Sequence, residues 1–370
     1  MSYANNIPTL SVGSVVKELS DLYTNVINSG LPFQMIPAQF LWGPPGVGKS
    51  DGVMQIAENI RKNTGKKVHV TDIRLLLFSP IDLRGVPVAD SNKEFTKWLK
   101  PQIFNLDASE EVVNILFLDE LSAAPQSIQA TAYQITLNRA VGEHKIPDNT
   151  IIMAAGNRTT DRSVAYRMPN ALANRMMHFD VAVDFDSWRT WAVNNGIHPF
   201  VLGYLSFDNS KLCCEKVELD EVAFTSPRSW MFVSNILNTM SEGEDAKNYY
   251  TLISACIGSG TALEFLKWCK ILKEVPKVEE IFDGTSFVYP SSHDVLHALV
   301  CSMTTHAISK EKNGGGISLT ELENMCLYAK QFPADYAACL YQNLCDVEQL
   351  RMKLLNVSPF KDWMRKNGSK

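Results

Sequence analysis

The sequence lacks any uninterrupted apolar run of the ~18 to 20 residues that a membrane-spanning helix needs. The segment from Met1 to Asn6 also lacks the basic stretch followed by an apolar core that marks an export signal. Charge of one sign is not in excess, because 35 Lys and Arg face 40 Asp and Glu, giving a net charge of −5. We therefore expect a cytoplasmic, soluble protein without a membrane span and without a chain-wide basic surface for nucleic acid.

Cysteine is absent from the first 212 residues, and no pair has the C-x-x-C spacing of a zinc knuckle. Without an export signal, free thiols are a better expectation than disulfides. With 45% apolar and 20% charged residues, the composition is that of a globular protein and excludes disordered, collagen-like and coiled-coil classes. The eight cysteines are Cys213, Cys214, Cys256, Cys269, Cys301, Cys326, Cys339 and Cys345.

The order of hydrophobic patterns predicts an α/β fold. An amphipathic helix over residues 15–27, capped by Ser14, precedes short apolar runs that alternate with helical patterns, as in a parallel sheet flanked by helices. After Val183 the patterns are helical only, which predicts a helical region up to about Met364. The predicted strands cover residues 38–42, 68–73, 113–118, 151–155 and 179–183.

A phosphate-binding loop follows the first of these strands and precedes a helix that begins at Lys49. The pattern is G-x-x-x-x-G-K-S/T, in which glycines let backbone N–H groups turn toward an anion and the helix N-terminus adds positive charge. Lys49 would reach the β and γ phosphates of a nucleotide, and Ser50 would ligate Mg²⁺. The motif consists of Gly43, Pro44, Pro45, Gly46, Val47, Gly48, Lys49 and Ser50.

Two adjacent carboxylates, Asp119 and Glu120, end the apolar run at residues 115–118. Ligands of open α/β folds bind at the carboxyl ends of parallel strands, so both acids are expected near the phosphates. Asp119 would hold Mg²⁺, and Glu120 would orient and polarise the attacking water.

Two more polar groups follow in the chain. Gly156-Asn157 ends the run at residues 151–155, and the Asn157 amide would position water against the γ phosphate. Further on, Ala171 to Arg175 predicts a short helix that ends in a cation just before the next strand. We expect Arg175 to face a neighbouring subunit.

In this order, the phosphate loop, Asp119-Glu120, Asn157, Arg175 and Ser226-Pro227-Arg228 resemble the AAA+ ATPases. The resemblance covers about residues 10 to 300. More narrowly, the chain resembles the MoxR and CbbQ-type branch, which includes dynein-related and McrB-like ATPases. Residues 82–87 are similar to the D-L-x-G segment before the hairpin insert of that branch.

The resemblance implies a homo-oligomeric ring, usually a hexamer, with Mg²⁺ and ATP bound at each subunit junction. Arg175 would be the finger onto the next subunit's γ phosphate, with Arg162 and Arg167 as the alternatives. Arg228 would sense nucleotide at the start of a lid helix. McrB-like relatives use GTP, and the phosphate loop does not discriminate between bases. ATP is expected only because it is the more frequent nucleotide in the family.

The implied domains are an AAA+ nucleotide-binding domain over residues 1–184, a helical lid over 185–300 and a helical C-terminal extension over 301–370. A hairpin insert is expected at about residues 88–103. The implied function is chaperone-like remodelling of a partner protein, in this branch frequently one with a von Willebrand factor A domain. The alternative is an NTPase motor subunit of a nucleic-acid-acting, restriction or anti-phage defence system. It would need basic clusters, for which residues 61–67 and 361–366 are the candidates.

Overall fold

The chain divides into two compact units, Met1–Trp188 and Arg189–Lys370. The structure is a computed structural model that describes residues 7–158, 166, 168–214, 222–241, 243–272, 275–286, 288–290, 292–312 and 316–367.

The first unit is built on a six-stranded parallel sheet with the order β1-β10-β2-β9-β6-β3. Its strands are β1 (Thr9–Ser11), β2 (Ala38–Trp42), β3 (Lys67–Arg74), β6 (Val112–Asp119), β9 (Thr150–Gly156) and β10 (Met176–Ala182). Two antiparallel hairpins lie outside the sheet, β4 (Val86–Ala89) with β5 (Thr96–Leu99), and β7 (Ala140–Val141) with β8 (His144–Lys145).

Helices cover both faces of the sheet, and each strand divides its side chains between two cores. In β6, Ile115 and Phe117 pack on the core beneath the first two helices, whereas Leu116 and Leu118 pack on the opposite core. This alternation follows from the two-residue period of a strand. The helices of this unit are α1 (Val12–Asn28), α2 (Lys49–Thr64), α3 (Pro80–Arg84), α4 (Gln126–Asn138), α5 (Asn170–Ala173) and α6 (Phe185–Asn194), which continues past the division.

The second unit is helical throughout its described residues and has its own core. Its helices are α7 (Pro199–Phe207), α8 (Pro227–Leu237), α9 (Tyr250–Ile257), α10 (Ser259–Leu272), α11 (Val278–Phe282), α12 (His293–Lys312), α13 (Leu319–Ala329), α14 (Ala334–Cys345), α15 (Glu348–Leu354) and α16 (Ser358–Asn367). The division expected at residue 300 falls within α12.

The predicted fold class is confirmed, and the differences are local. The first helix begins at Val12 rather than after Ser14, because Ser11 is the cap: its hydroxyl accepts a hydrogen bond from the Ser14 N–H at 3.1 Å. The last strand begins at Met176, three residues before the predicted Phe179, because pairing with β2 fixes its start.

Two sequence-level expectations concern the whole chain. All eight cysteines are free; Cys269, Cys301 and Cys326 are buried, and the other five are half-buried. None of the helices in the described residues combines the length and apolar character that crossing a membrane requires.

A capping box at the start of α13 carries a charge whose effect depends on pH. The Glu321 carboxylate accepts hydrogen bonds from the Ser318 N–H at 2.9 Å and hydroxyl at 2.8 Å, and it pairs with Lys310. Burial alone would raise the pKa of Glu321, but the Lys310 and Ser318 hydrogen bonds outweigh it and lower the pKa to about 2 from 4.5.

We predict that Glu321→Gln destabilises the second unit at pH 7 by about 1 kcal/mol, since Lys310 is partly exposed and the ion pair is screened. The folded pKa lies below the unfolded one, so this contribution is complete above about pH 4.5 and fades as the pH falls toward 2. Urea unfolding from pH 7 to 3 should show the difference from the unaltered protein shrinking. Glu323→Gln, exposed on the same helix, is the control; a pH-independent difference for Glu321→Gln would contradict this interpretation.

Candidate active site

The phosphate loop connects the buried strand β2 to the N-terminus of α2. Gly46 has φ 79°, and Gly48, the N-cap of α2, has φ 105°. Both values lie in the left-handed region that residues other than glycine rarely adopt. A Cβ on Gly43 would lie 2.7 Å from the Val181 carbonyl oxygen of the adjacent strand. The glycines therefore permit this backbone path, and the 16-residue helix directs its free N–H groups into the loop.

The Lys49 ammonium group folds back over this loop. It donates hydrogen bonds to the carbonyl oxygens of Gly43 at 2.6 Å and Pro44 at 3.0 Å, and to Asn157 Oδ1 at 3.1 Å. Two of the predicted site residues, from different strand ends, are thus brought into direct contact. A phosphate at the loop would meet a cation that is already held in place.

Ser50 and Asp119 form the second contact of the site, with the Ser50 hydroxyl donating to Asp119 Oδ2 at 2.9 Å. A hydroxyl and a carboxylate are hard oxygen donors of the kind Mg²⁺ prefers. Burial and the negative charge of Asp119 raise the pKa of nearby Asp72. Two neighbouring carboxylates and a hydroxyl at a phosphate loop are residues that fit Mg²⁺.

Glu120 has a backbone conformation that glutamate rarely adopts, with φ 58°. Its N–H donates to Asp119 Oδ1 at 2.8 Å, and its carbonyl accepts from the N–H groups of Ala123 and Ala124. Strained positions of this type cost of order 1 to 3 kcal/mol and cluster at active sites. The Glu120 side chain is half-buried in this turn, immediately beyond Asp119.

The register of the sheet explains why Asn157 reaches Lys49. Trp42 pairs with Gly156, so the loop after β2 and the residue after β9 leave the sheet side by side. The neighbouring pair Leu118 and Ala154 brings the end of β6 to the same edge.

Ser122 was not identified from the sequence, yet it fixes Asn157 relative to the carboxylates. Its buried hydroxyl accepts from the Asn157 N–H at 2.9 Å and donates to the Asn157 carbonyl at 3.0 Å. A Cβ on Gly156 would lie 2.5 Å from the same hydroxyl oxygen, so glycine is required for this approach. Nothing in the segment Leu121 to Ala124 signals this role, because serine in a turn is common.

Arg158 forms a second anchor beside Asn157 that the sequence did not reveal. Its guanidinium pairs with Asp180, which is buried in β10 and also accepts from the Thr9 hydroxyl at 3.1 Å. A buried carboxylate within an apolar strand is unusual without a partner, and this was the available signal. The pair connects the end of β9 to β10.

Arg175 lies at the end of the sheet where the parallel strands begin, opposite the end that carries the phosphate loop. The next residue, Met176, pairs with Ala38 at the start of β2, whereas Asp180 pairs with Trp42 beside the loop. At about 3.3 Å per residue, the five residues of β2 place the start of the strand roughly 16 Å from the phosphate loop at its end.

The Arg175 side chain packs within its own unit. Its guanidinium carbon lies 4.7 Å from the ring centroid of Tyr133 on α4, and Nη1 donates to the Ala171 carbonyl at 2.6 Å. The residue is half-buried, and the cation is oriented by an aromatic face that the sequence did not reveal.

The other arginines expected at the site are Arg228, Arg162 and Arg167. Arg228 belongs to the second unit, where it is exposed in the first turn of α8 behind a Ser226–Ser229 capping box. The predicted start of that helix at Ser226-Pro227 is confirmed. Arg162 and Arg167 lie outside the described residues.

Comparison with known families gives the class of this domain. Residues 39–186 match the model of "AAA: ATPase family associated with various cellular activities (AAA)", a match that includes the phosphate loop and both strand-end motifs. This part of the chain is therefore similar to the ATPase domain of that family, and the fold, a parallel sheet flanked by helices and followed by a helical region, matches an AAA+ P-loop core followed by a helical lid. No curated protein sequence matches the chain.

The solved structures that the chain matches have low sequence identity and low TM-scores. C. elegans PCH-2 is 15% identical with a TM-score of 0.36, covering 72% of this chain and 71% of that one. A mutant of RuvB from Thermotoga maritima is 15% identical with a TM-score of 0.37, covering 84% and 87%. NtrX from Brucella abortus in complex with ATP is 12% identical with a TM-score of 0.35, covering 92% and 69%.

We predict that Ser122→Ala lowers the free energy of unfolding of the first unit by about 1 to 3 kcal/mol, because it leaves the Asn157 N–H and carbonyl without their buried partner. Urea unfolding measures the change. Ser127→Ala, the same substitution at an exposed position of α4, should leave stability within about 0.5 kcal/mol. Equal stability of the two variants would show that the Ser122 hydroxyl does not hold Asn157.

Proposed function

We propose that this protein is a Mg²⁺-dependent ATPase whose ATP binding and hydrolysis drive the remodelling of a partner protein. The observation that carries the proposal is the convergence of Lys49, Ser50, Asp119 and Asn157 through direct hydrogen bonds at one edge of the sheet. Glu120 directly follows Asp119, and its N–H is bonded to the Asp119 carboxylate. The cation, the oxygen donors and the candidate base required for phosphoryl transfer to water are all present there.

Each side chain has a distinct task in the proposed reaction. Lys49 and the backbone N–H groups of the loop bind the phosphates, while Ser50 and Asp119 hold Mg²⁺. Bound Mg²⁺ would neutralise charge that develops on the phosphate oxygens. Glu120 orients the attacking water and accepts its proton, and Asn157 keeps Lys49 aligned through the 3.1 Å bond.

The position of Arg175 supports a ring, which we propose to be a hexamer of the MoxR-like type. Arg175 lies where the strands begin, at the opposite end of β2 from the phosphate loop of its own subunit. An arginine finger at this position would therefore act on the nucleotide of another subunit. Such fingers accelerate related reactions by ~10³ to 10⁵. Arg228 is proposed as the nucleotide sensor of the lid.

The hairpin β4–β5 offers a surface for the partner. Phe95 near its tip is 73% exposed and Leu77, before α3, is 75% exposed. The cross-strand pair Val86 and Leu99 is also more than half exposed. Exposed apolar groups of this kind mark protein contacts, and we propose a cytoplasmic partner with a von Willebrand factor A domain.

The basic clusters do not favour the alternative function on nucleic acid. Arg61 and Lys62 both pair with the Glu58 carboxylate, at 2.6 and 3.3 Å, and Arg365 lies 3.9 Å from Asp362. Exposed cations beside neighbouring carboxylates are typical of solvated helix ends and give no specific support for nucleic-acid binding, so we retain the protein partner as the proposal.

We predict that Glu120→Gln retains ATP affinity within a few-fold but loses turnover by about 10² or more, because the base is lost while the phosphate contacts remain. Lys49→Ala should lose ATP binding itself. Calorimetric titration with ATP and phosphate release at saturating ATP separate these effects. Glu143→Gln, exposed between β7 and β8, is the control, and unchanged turnover in Glu120→Gln would remove its assigned role.

A subunit-mixing experiment tests the ring. Glu120→Gln and Arg175→Ala proteins should each be nearly inactive, but their mixture should recover activity above the sum, because some junctions then join an intact Glu120 to an intact Arg175. Mixing Glu120→Gln with Arg365→Ala, whose arginine is exposed on α16, shows the activity expected from an intact partner. If the first mixture equals the sum of its parts, Arg175 does not act between subunits.

The Glu120→Gln protein held in ATP also tests the partner. Co-purification of a stoichiometric protein with a von Willebrand factor A domain, lost in a Phe95→Ala version, would support remodelling through the hairpin. Recovery of nucleic acid or a nuclease subunit would instead favour the motor or defence function.

A further inference from the structure

A cavity of about 470 Å³ lies in the first unit at the end of the sheet where the strands β2 and β9 begin. Ala38, the first residue of β2, lines it, whereas the phosphate loop follows Trp42 at the other end of the same strand. The strand separates the two by roughly 16 Å. The cavity is therefore distinct from the candidate nucleotide site, and its volume is in the range of small-molecule sites.

Arg139 is the unusual residue of this cavity. It ends α4 in the left-handed region with φ 47°, a position that helices normally give to glycine or asparagine. A non-glycine residue there costs of order 1 kcal/mol. An arginine is therefore present at a position where its backbone conformation costs stability.

The Arg139 side chain is half-buried and forms no ion pair with a carboxylate of the described residues. Nη2 donates to the carbonyl oxygens of Pro147 at 3.4 Å and Thr150, but the buried Nε has no hydrogen-bond partner. Among the described residues, no carboxylate forms an ion pair with Arg139, and burial lowers its pKa despite the opposing charge of Asp148. A half-buried cation bonded only to neutral carbonyls is costly, and an anion in the cavity would offset that cost.

The rest of the lining suits an anion that carries an apolar body. Tyr23, Ile146 and Ile151 form buried apolar walls, and the Tyr23 hydroxyl is already bonded to Gln39 Oε1 at 2.8 Å. Lys145, exposed on β8, is a second cation at the cavity, and the exposed Asp148 is an acidic lining residue, so the two cations still leave a net positive charge.

We propose that this cavity binds a small organic anion, whose carboxylate or phosphate group pairs with Arg139 and Lys145 while its apolar body packs on Tyr23, Ile146 and Ile151. The site does not depend on the proposed ATPase activity, since none of these residues belongs to the nucleotide site. Charge-assisted bonds to a planar guanidinium fix such oxyanions.

Calorimetric titration with three probes that share one ring system tests the proposal: naphthoate, naphthyl phosphate and the uncharged naphthamide. The protein is kept saturated with ADP so that the phosphate loop is occupied. We expect one saturable site per chain for at least one anion, with naphthamide binding tenfold or more weaker. The preferred anion distinguishes a carboxylate from a phosphate ligand.

Variants locate the site. Arg139→Gln should weaken the anion about tenfold or more and Lys145→Gln a few-fold, whereas Lys17→Gln, exposed on α1, should have no effect. Absence of saturable anion binding, equal affinity for naphthamide, or unchanged affinity in both cavity variants would overturn the proposal.

Arg139→Gln also removes the bonds to Pro147 and Thr150, so its fold is checked by thermal unfolding. If this variant does not fold, a crystal structure of the unaltered protein with the preferred anion decides. An oxyanion within about 3.2 Å of an Arg139 nitrogen supports the site, and an anion bound elsewhere, or not seen, overturns it.

Discussion

The burial of the central sheet on both faces is the constraint on which the rest of the first unit depends. Strands such as β6 and β9 are apolar on both sides, because helices cover each face. Polar groups inside the strands need dedicated partners, as Asp180 has Arg158 and Gln39 has Tyr23. Groups meant for a ligand must therefore appear where the strands end.

The carboxyl ends of the strands bring a cation and a carboxylate into one site, each with its own hydrogen bonds. Lys49 donates to carbonyl and amide oxygens, and Asp119 accepts from a hydroxyl and a backbone N–H. These bonds fix a cation and a carboxylate in the same site, which suits a ligand that carries anionic phosphates and a metal cation. Glu120 has a backbone conformation that costs stability, and Gly156 allows an approach to Ser122 that a Cβ would block. Such local costs are typical of active sites, where the position of a side chain is kept at the expense of stability.

The sequence predicted the features that are local or periodic. The phosphate loop has a fixed spacing, and the apolar runs have a length and context that identify strands, so the meeting of Lys49, Ser50, Asp119 and Asn157 could be expected from parallel topology alone. Ser122, Arg158 and Tyr133 could not, because their roles depend on register and on helix placement across many residues. The cap at Ser11 was missed for a simpler reason: Ser14 offers the same hydroxyl one turn later.

Helix α4 runs from the end of the sheet that carries the candidate active site to the end where the strands begin. It starts just after the turn that holds Glu120 and Ser122, and its 13 residues extend about 20 Å. Near its far end it presents Tyr133 to Arg175, and it terminates at Arg139 beside the cavity. Packing contacts connect the Glu120 turn to Arg175 through this helix, and coupling between the two would require α4 to have two discrete positions. Its N-cap is Pro125, which forms no side-chain capping bond, so the start of α4 is held by the Glu120 turn and by the packing of Ile128 and Ala132 in the core. The element between the candidate base and the candidate finger therefore begins at the turn that contains the strained residue.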